Sequence, residues 1–290
     1  MDQKDLIVLL FLLPFFVTCN SAMAQEPPQN LTKITWVHAV NDQAYLDSVL
    51  QDDNAVDMIE ADVVFGHLIN QTEQIPVMGH PPNTVSDLSL ESFLSQVDAF
   101  NKKENVTVKG VKLDFKSIQA FKSAVENVQK YDNVTYPLWI NADIVSGPVL
   151  SLTIPVDADQ FLQASNTFPT KTVLSIGWTT NYGTGGIPPN MTYAAYDEHQ
   201  MNKMLEKIIT NNVTHEITFP VRAGIVANSQ KLIQELMDVV PKSTLTIWSS
   251  AGDYVDVEKL RQLIADVGVD KIYVDVPEEL LEKLHLGDLP

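Results

Sequence analysis

Eight times between residues 34 and 284, a short run rich in β-branched and apolar residues is followed by a longer stretch of amphipathic, helix-period character. Runs of the first kind fall at 34–40, 58–65, 110–115, 137–143, 173–179, 216–223, 244–249 and 271–276. Helical patterns follow at 43–51, 90–103, 117–130, 158–165, 196–210, 229–239, 257–267 and 278–284. Regular alternation of strand and helix calls for parallel strands joined by helical crossovers, and eight such units close into a (β/α)8 TIM barrel. An open doubly wound sheet is the competing architecture. Its glycine-rich nucleotide turn, Gly-x-Gly-x-x-Gly after a strand, is missing from this sequence.

A barrel turns the sequence into a map, because function collects where the strands end and the following loops begin. Within the second run, Glu60 and Asp62 are two residues apart. Strand side chains alternate, so both carboxylates leave the same face. Asp114 ends the next run, and three hard oxygen ligands on neighbouring strand ends suit Mg2+ or Ca2+. Lys116 follows on the face of Asp114, either to meet a phosphate oxygen or to pair with the carboxylates. His38 and His80 bracket the acidic strand and are the candidates for proton transfer, since imidazole titrates near neutrality. At other strand ends lie Asn141 and Asp143, Trp178, Arg222 and Trp248. Arg222 could grip a phosphate and an indole could stack on a ligand, with barrel packing as the alternative for each. Lys112 lies one layer deeper and reads as a buried partner for a carboxylate. The connections after the second and fifth runs, 66–88 and 181–195, are the longest and are expected to wall the pocket.

Residues 1–24 have the form of a secretory signal: Lys4 in a polar head, an apolar run, then Ala22-Met23-Ala24 as a cleavage pattern. The one cysteine, Cys19, lies inside it, so the mature domain, 25–290, is expected to fold without disulfides. Asn-x-Ser/Thr sequons at Asn30, Asn70, Asn105, Asn133, Asn190 and Asn212 agree with a secreted glycoprotein. Only Asn70 and Asn190 follow strands and would lie on the active face. Beyond the leader, no stretch is long and apolar enough to span a bilayer. The formal net charge of −18 repels polyanions and argues against nucleic acid as a partner.

The succession His38-Ala39-Val40-Asn41, Glu60-x-Asp62, His80 and Asp114-x-Lys116 resembles the active-site pattern of phospholipase-C-like phosphodiesterases, which include the glycerophosphodiesterases and the venom sphingomyelinases D. Over nearly the whole mature chain the closer likeness is to the menorin family. It is carried by Pro76-Val77-Met78-Gly79-His80-Pro81-Pro82, Asn141-Ala142-Asp143-Ile144, Leu174-Ser175-Ile176-Gly177-Trp178-Thr179-Thr180 and Phe219-Pro220-Val221-Arg222-Ala223. The resemblance implies a metal site at Glu60, Asp62 and Asp114 and an acid-base pair at His38 and His80. Asn41, Lys116, Arg222, Trp178 and Trp248 would serve a phosphodiester substrate, through a cyclic phosphate. The chain lacks the His-Arg-Gly opening of glycerophosphodiesterases, so their substrate is not implied. Menorins also include an extracellular ligand of cell-surface adhesion complexes that patterns dendrites, so the resemblance implies a binding module as the alternative to an enzyme.

Overall fold

The computed structural model describes residues 29–51, 55–149, 151–182 and 194–289. The expected leader with Cys19, most of the connection after the fifth run, and Asn190 lie outside the described residues. Strands β1 (Trp36–Val37), β2 (Met58–Leu68), β5 (Gly110–Phe115), β6 (Leu138–Val145), β7 (Val173–Trp178), β8 (Ile217–Arg222), β9 (Thr244–Trp248) and β10 (Ile272–Asp275) pair in that order, all parallel. The eight expected strands are all present. Side chains close the ring where β10 meets β1: Trp36 packs edge-on to Tyr273, and His38 reaches Asp275.

Helices α1 (Gln43–Val49), α2 (Leu90–Asn101), α3 (Ile118–Gln129), α4 (Ala158–Ser165), α5 (Glu198–Thr210), α6 (Ala223–Val226), α7 (Gln230–Val239), α8 (Val257–Val267) and α9 (Glu278–Leu284) occupy the crossovers and the C-terminal end. Many begin where a short polar side chain can accept from the first free backbone N–H groups. Ser89, Ser117, Asp157 and Asp256 do so for α2, α3, α4 and α8, and Asp197 forms a reciprocal capping box with Gln200 at α5. Their apolar faces, with Phe93, Phe121, Phe161, Leu260 and Leu263, pack on strands that are buried on both sides.

The sequence reading needs two corrections in this frame. The first strand is shorter than 34–40, because Ala39 takes φ +56° and swings the chain out of the extended conformation. The connection after the second strand is no open loop. Strand β2 continues past the barrel rim and pairs antiparallel with β3 (Ile75–Met78), while β4 (Val85–Ser86) joins its far end. That hairpin carries Asn70 at its tip. Asn105, Asn133 and Asn212 are exposed and Asn30 half-buried, all preceding strands at the opposite end.

Inside the barrel the two ends differ. At the N-terminal end Trp36, Trp139 and Tyr273 meet with ring centroids 4.8–6.1 Å apart, although β6 lies across the barrel from β1 and β10. These rings plug the bore. Above them the lining becomes polar.

Candidate active site

Parallel register brings the acidic residues together. Glu60 lies opposite Lys112, and one layer higher Asp62 lies opposite Asp114, which lies opposite Asn141. One ligand oxygen from each of Glu60, Asp62 and Asp114 lies within 4.8 Å of the others. All three donors are hard oxygens, so this set fits Mg2+ or Ca2+ and has none of the thiolate or imidazole character of a zinc cage.

Neighbouring groups aim these carboxylates. The turn at Ala39 points its N–H at Glu60 Oε2, at 2.8 Å. Asn41 and Asp62 clasp each other: Asn41 Nδ2 donates to Asp62 Oδ2 at 2.7 Å, and the Asp62 N–H donates to Asn41 Oδ1 at 2.8 Å. Asn141 bonds Asp114 and accepts from Ser175 Oγ at 2.5 Å. The Lys116 ammonium lies 2.7 Å from Asp62 Oδ1 and 2.5 Å from Asp114 Oδ2. Burial disfavours its charge, but Asp114 and Asp62 outweigh that and raise its pKa. Burial works against ionised Asp114 as well, yet Lys116 and Lys112 hold its carboxyl below the usual range.

Imidazoles stand on either side. His38 Nδ1 is 3.0 Å from Asp275 Oδ2 and 3.5 Å from Glu60 Oε2, while half of its side chain remains exposed. Desolvation would lower its pKa, but the Glu60 charge and the Asp275 hydrogen bond carry it to about 9. Glu60 is pushed up to about 7, by burial first, with Asp62 adding to the shift and His38 opposing it. His80 is exposed, and its Nδ1 lies 2.8 Å from the Pro81 carbonyl oxygen. A carbonyl only accepts, so Nδ1 carries a proton there and leaves Nε2 as the ring nitrogen available to a ligand in the cavity that His80 lines.

A cavity of about 590 Å³ joins these groups at the barrel mouth. His38, His80, Glu60, Asp62, Asp114 and Lys116 line it together with Lys112, Asn141, Asp143, Arg222 and Trp248. Asp143 is raised to about 7 by burial and by Asp114. Its carboxylate occupies the space that a side chain on Gly177 would need, with Oδ1 2.6 Å from that Cβ position.

Three residues expected to touch substrate are placed differently. Asn41 stands behind Asp62 and orients it. Trp178 is 1% exposed, packs on Tyr196 and Phe219, and donates Nε1–H to the Gln200 carbonyl; it belongs to the layer between β7 and α5. Arg222 lines the cavity, but its guanidinium is already engaged. Nε and Nη2 hold Asp253 at 2.7 and 2.9 Å, Nη2 also meets Ser250, and Nη1 meets Thr180. It also stacks on Trp248 at 4.8 Å, so it fixes that indole at the cavity wall.

The sequence reading missed Asp275 and Asp253. Asp275 ends the last strand one alternation after Tyr273, a position that a barrel map marks as mouth-facing. Asp253 sits in a loop and carries no such signal.

Residues 30–281 match the family model described as the menorin N-terminal domain. The chain is also 32% identical over 270 residues to the human protein FAM151B, a span covering 92% of this chain and 89% of that relative.

Proposed function

The chain belongs to the menorin family, and from that premise we propose that it is a secreted, phosphodiesterase-like protein acting on a lipid or other small phosphodiester. One observation carries the reading: three carboxylates within 4.8 Å share a cavity with two imidazoles. That grouping supports the expectation drawn from the sequence's resemblance to phospholipase-C-like enzymes. Its floor also suits an anionic phosphoryl group only once a cation balances the acids.

Glu60, Asp62 and Asp114 would hold the divalent ion, which when bound neutralises charge on the phosphoryl oxygens. The protein supplies orientation and proton transfer. Asn41 and the Ala39 N–H keep Asp62 and Glu60 aimed. His80 Nε2 takes the proton from a substrate hydroxyl as its oxygen bonds to phosphorus. His38, beside Glu60 and hydrogen-bonded to Asp275, gives a proton to the leaving oxygen as the original P–O bond breaks. An internal hydroxyl as nucleophile leaves a cyclic phosphate. Lys116 and Trp248 complete the walls around the substrate.

Phosphorus NMR with sphingomyelin, lysophosphatidylcholine, glycerophosphodiesters and a 2′,3′-cyclic nucleotide tests this reading, in Mg2+, Ca2+ or EDTA. The expected result is a new resonance that requires both the cation and His38, lost in His38→Ala. Silence across the panel from a protein that binds the cation by calorimetry would overturn it. Family membership favours one other reading, an extracellular module that binds a cell-surface protein through the same barrel. Partner binding would then survive His38→Ala.

A further inference from the structure

The connection from β6 to α4 stands at the cavity rim and is unlike the rest of the surface. Residues 146–156 contain no charged side chain in a chain of net charge −18. Within it Leu152 is 91% exposed and Ile154 88% exposed, whereas among the other described residues no large apolar side chain exceeds 68%. Isolated exposed aliphatics are ordinary on soluble proteins. Two at nearly full exposure on one short segment are a feature to explain. Between them Thr153 lines the cavity, so the two aliphatic side chains flank its entrance.

The base of this segment is fastened. The Gly147 N–H donates to Thr179 Oγ1 at 3.1 Å, and a Cβ at Gly147 would lie 1.6 Å from the Thr179 carbonyl oxygen. At the other end the Val156 N–H bonds the Asp143 carbonyl at 2.9 Å, and the Val156 side chain is buried. The aliphatic pair is therefore held out from a fixed base. The carboxylates and lysines that line the cavity are buried or half-buried, while Pro81, Thr153 and Ser250 are uncharged lining residues exposed to solvent.

We infer that Leu152 and Ile154 insert into the surface of a zwitterionic lipid bilayer, setting the cavity mouth against the headgroups. This deepens the proposed function and rests on its lipid phosphodiester as substrate. An uncharged aliphatic tip above a charged floor matches a molecule whose phosphate lies beside a hydrocarbon layer. Protein interfaces draw instead on aromatic and arginine anchors and a broad surface, which two aliphatic side chains do not provide. The acidity of the chain selects against anionic lipid.

Co-sedimentation of the full secreted chain with phosphatidylcholine vesicles, with and without phosphatidylserine, tests the inference. Expected are partition onto phosphatidylcholine, weaker partition when phosphatidylserine is added, and a loss of at least about tenfold in Leu152→Ser/Ile154→Ser. Ile209→Ser, which removes the 68%-exposed aliphatic at the end of α5, is expected to keep full partition. No binding by the unaltered chain, equal binding by the double variant, or an equal loss in Ile209→Ser would each overturn it. Loss of a cell-surface protein partner in the double variant, with no vesicle binding at all, would overturn it in favour of a protein contact. Because sedimentation needs no turnover, a protein silent by phosphorus NMR that still partitions through Leu152 and Ile154 would refute the enzyme and support the membrane contact.

Discussion

The two ends of this barrel are built from opposite materials. At the N-terminal end Trp36, Trp139 and Tyr273 fill the bore with edge-on rings, and their burial favours folding. At the mouth Glu60 and Asp143 share one cavity with Asp62 and Asp114, and burial and the neighbouring acids oppose the charge of those two carboxylates. One end stabilises what the other end strains. Substitutions should therefore separate by location.

The largest effect is expected at the mouth. Glu60→Gln should lower phosphodiester turnover about a thousandfold or more while the melting temperature holds or rises, since an acid is removed from a repulsive cluster. A collapse of the fold in that variant would instead make the cluster structural. At the other end, Trp139→Ala should cost about 3–5 kcal/mol of folding stability in a denaturant titration. Divalent-ion affinity measured by calorimetry on the protein that remains folded should be unchanged. Parallel loss of both quantities would break the contrast between the two ends.

Arg222 lies at the mouth yet behaves like a residue of the stabilising end. Replacing it with Met leaves buried Asp253 without its partner, which should cost about 3 kcal/mol. The fluorescence of Trp248 should shift as its stacking partner is lost. A pure KM effect with unchanged stability would restore the phosphate-binding role that the sequence reading assigned to it.

A smaller effect should follow pH. The folded pKa of Glu60 and of Asp143 is about 7, above the unfolded value, so the folded state binds the extra protons between about pH 4.5 and 7. His38, raised to about 9, does the same from about 6.5 upward. All three contributions are present at the acid end of their windows and lost as pH rises. In EDTA the melting temperature should fall steadily from pH 5 to 9, and saturating Mg2+ or Ca2+ should flatten that decline. A melting temperature that rises with pH in EDTA would contradict these shifts.

Much of this architecture was legible because it is local. Strand and helix periods, capping residues and the Glu60-x-Asp62 alternation are properties of neighbouring residues, and the eight strands follow from them. The meeting of Glu60, Asp62 and Asp114 was legible too, since adjacent parallel strands in one register place their ends side by side. The roles of His38 and Arg222 were not. His38 depends on Asp275, 237 residues away, and the commitment of Arg222 depends on Asp253 and Thr180 in two other loops. Trp178 ends a strand like Trp248, but faces the helices. Asn41, expected at the substrate, serves Asp62.

The sequence by itself determined the order of elements, the barrel, and which carboxylates share a strand end, because hydrophobic period and side-chain alternation act over a few residues. Only the tertiary structure decided which imidazole is held charged, which arginine is already engaged and which aliphatic side chains stand in solvent. Those outcomes depend on distances between strands and loops remote in the chain, and electrostatic energy and burial are set by those distances.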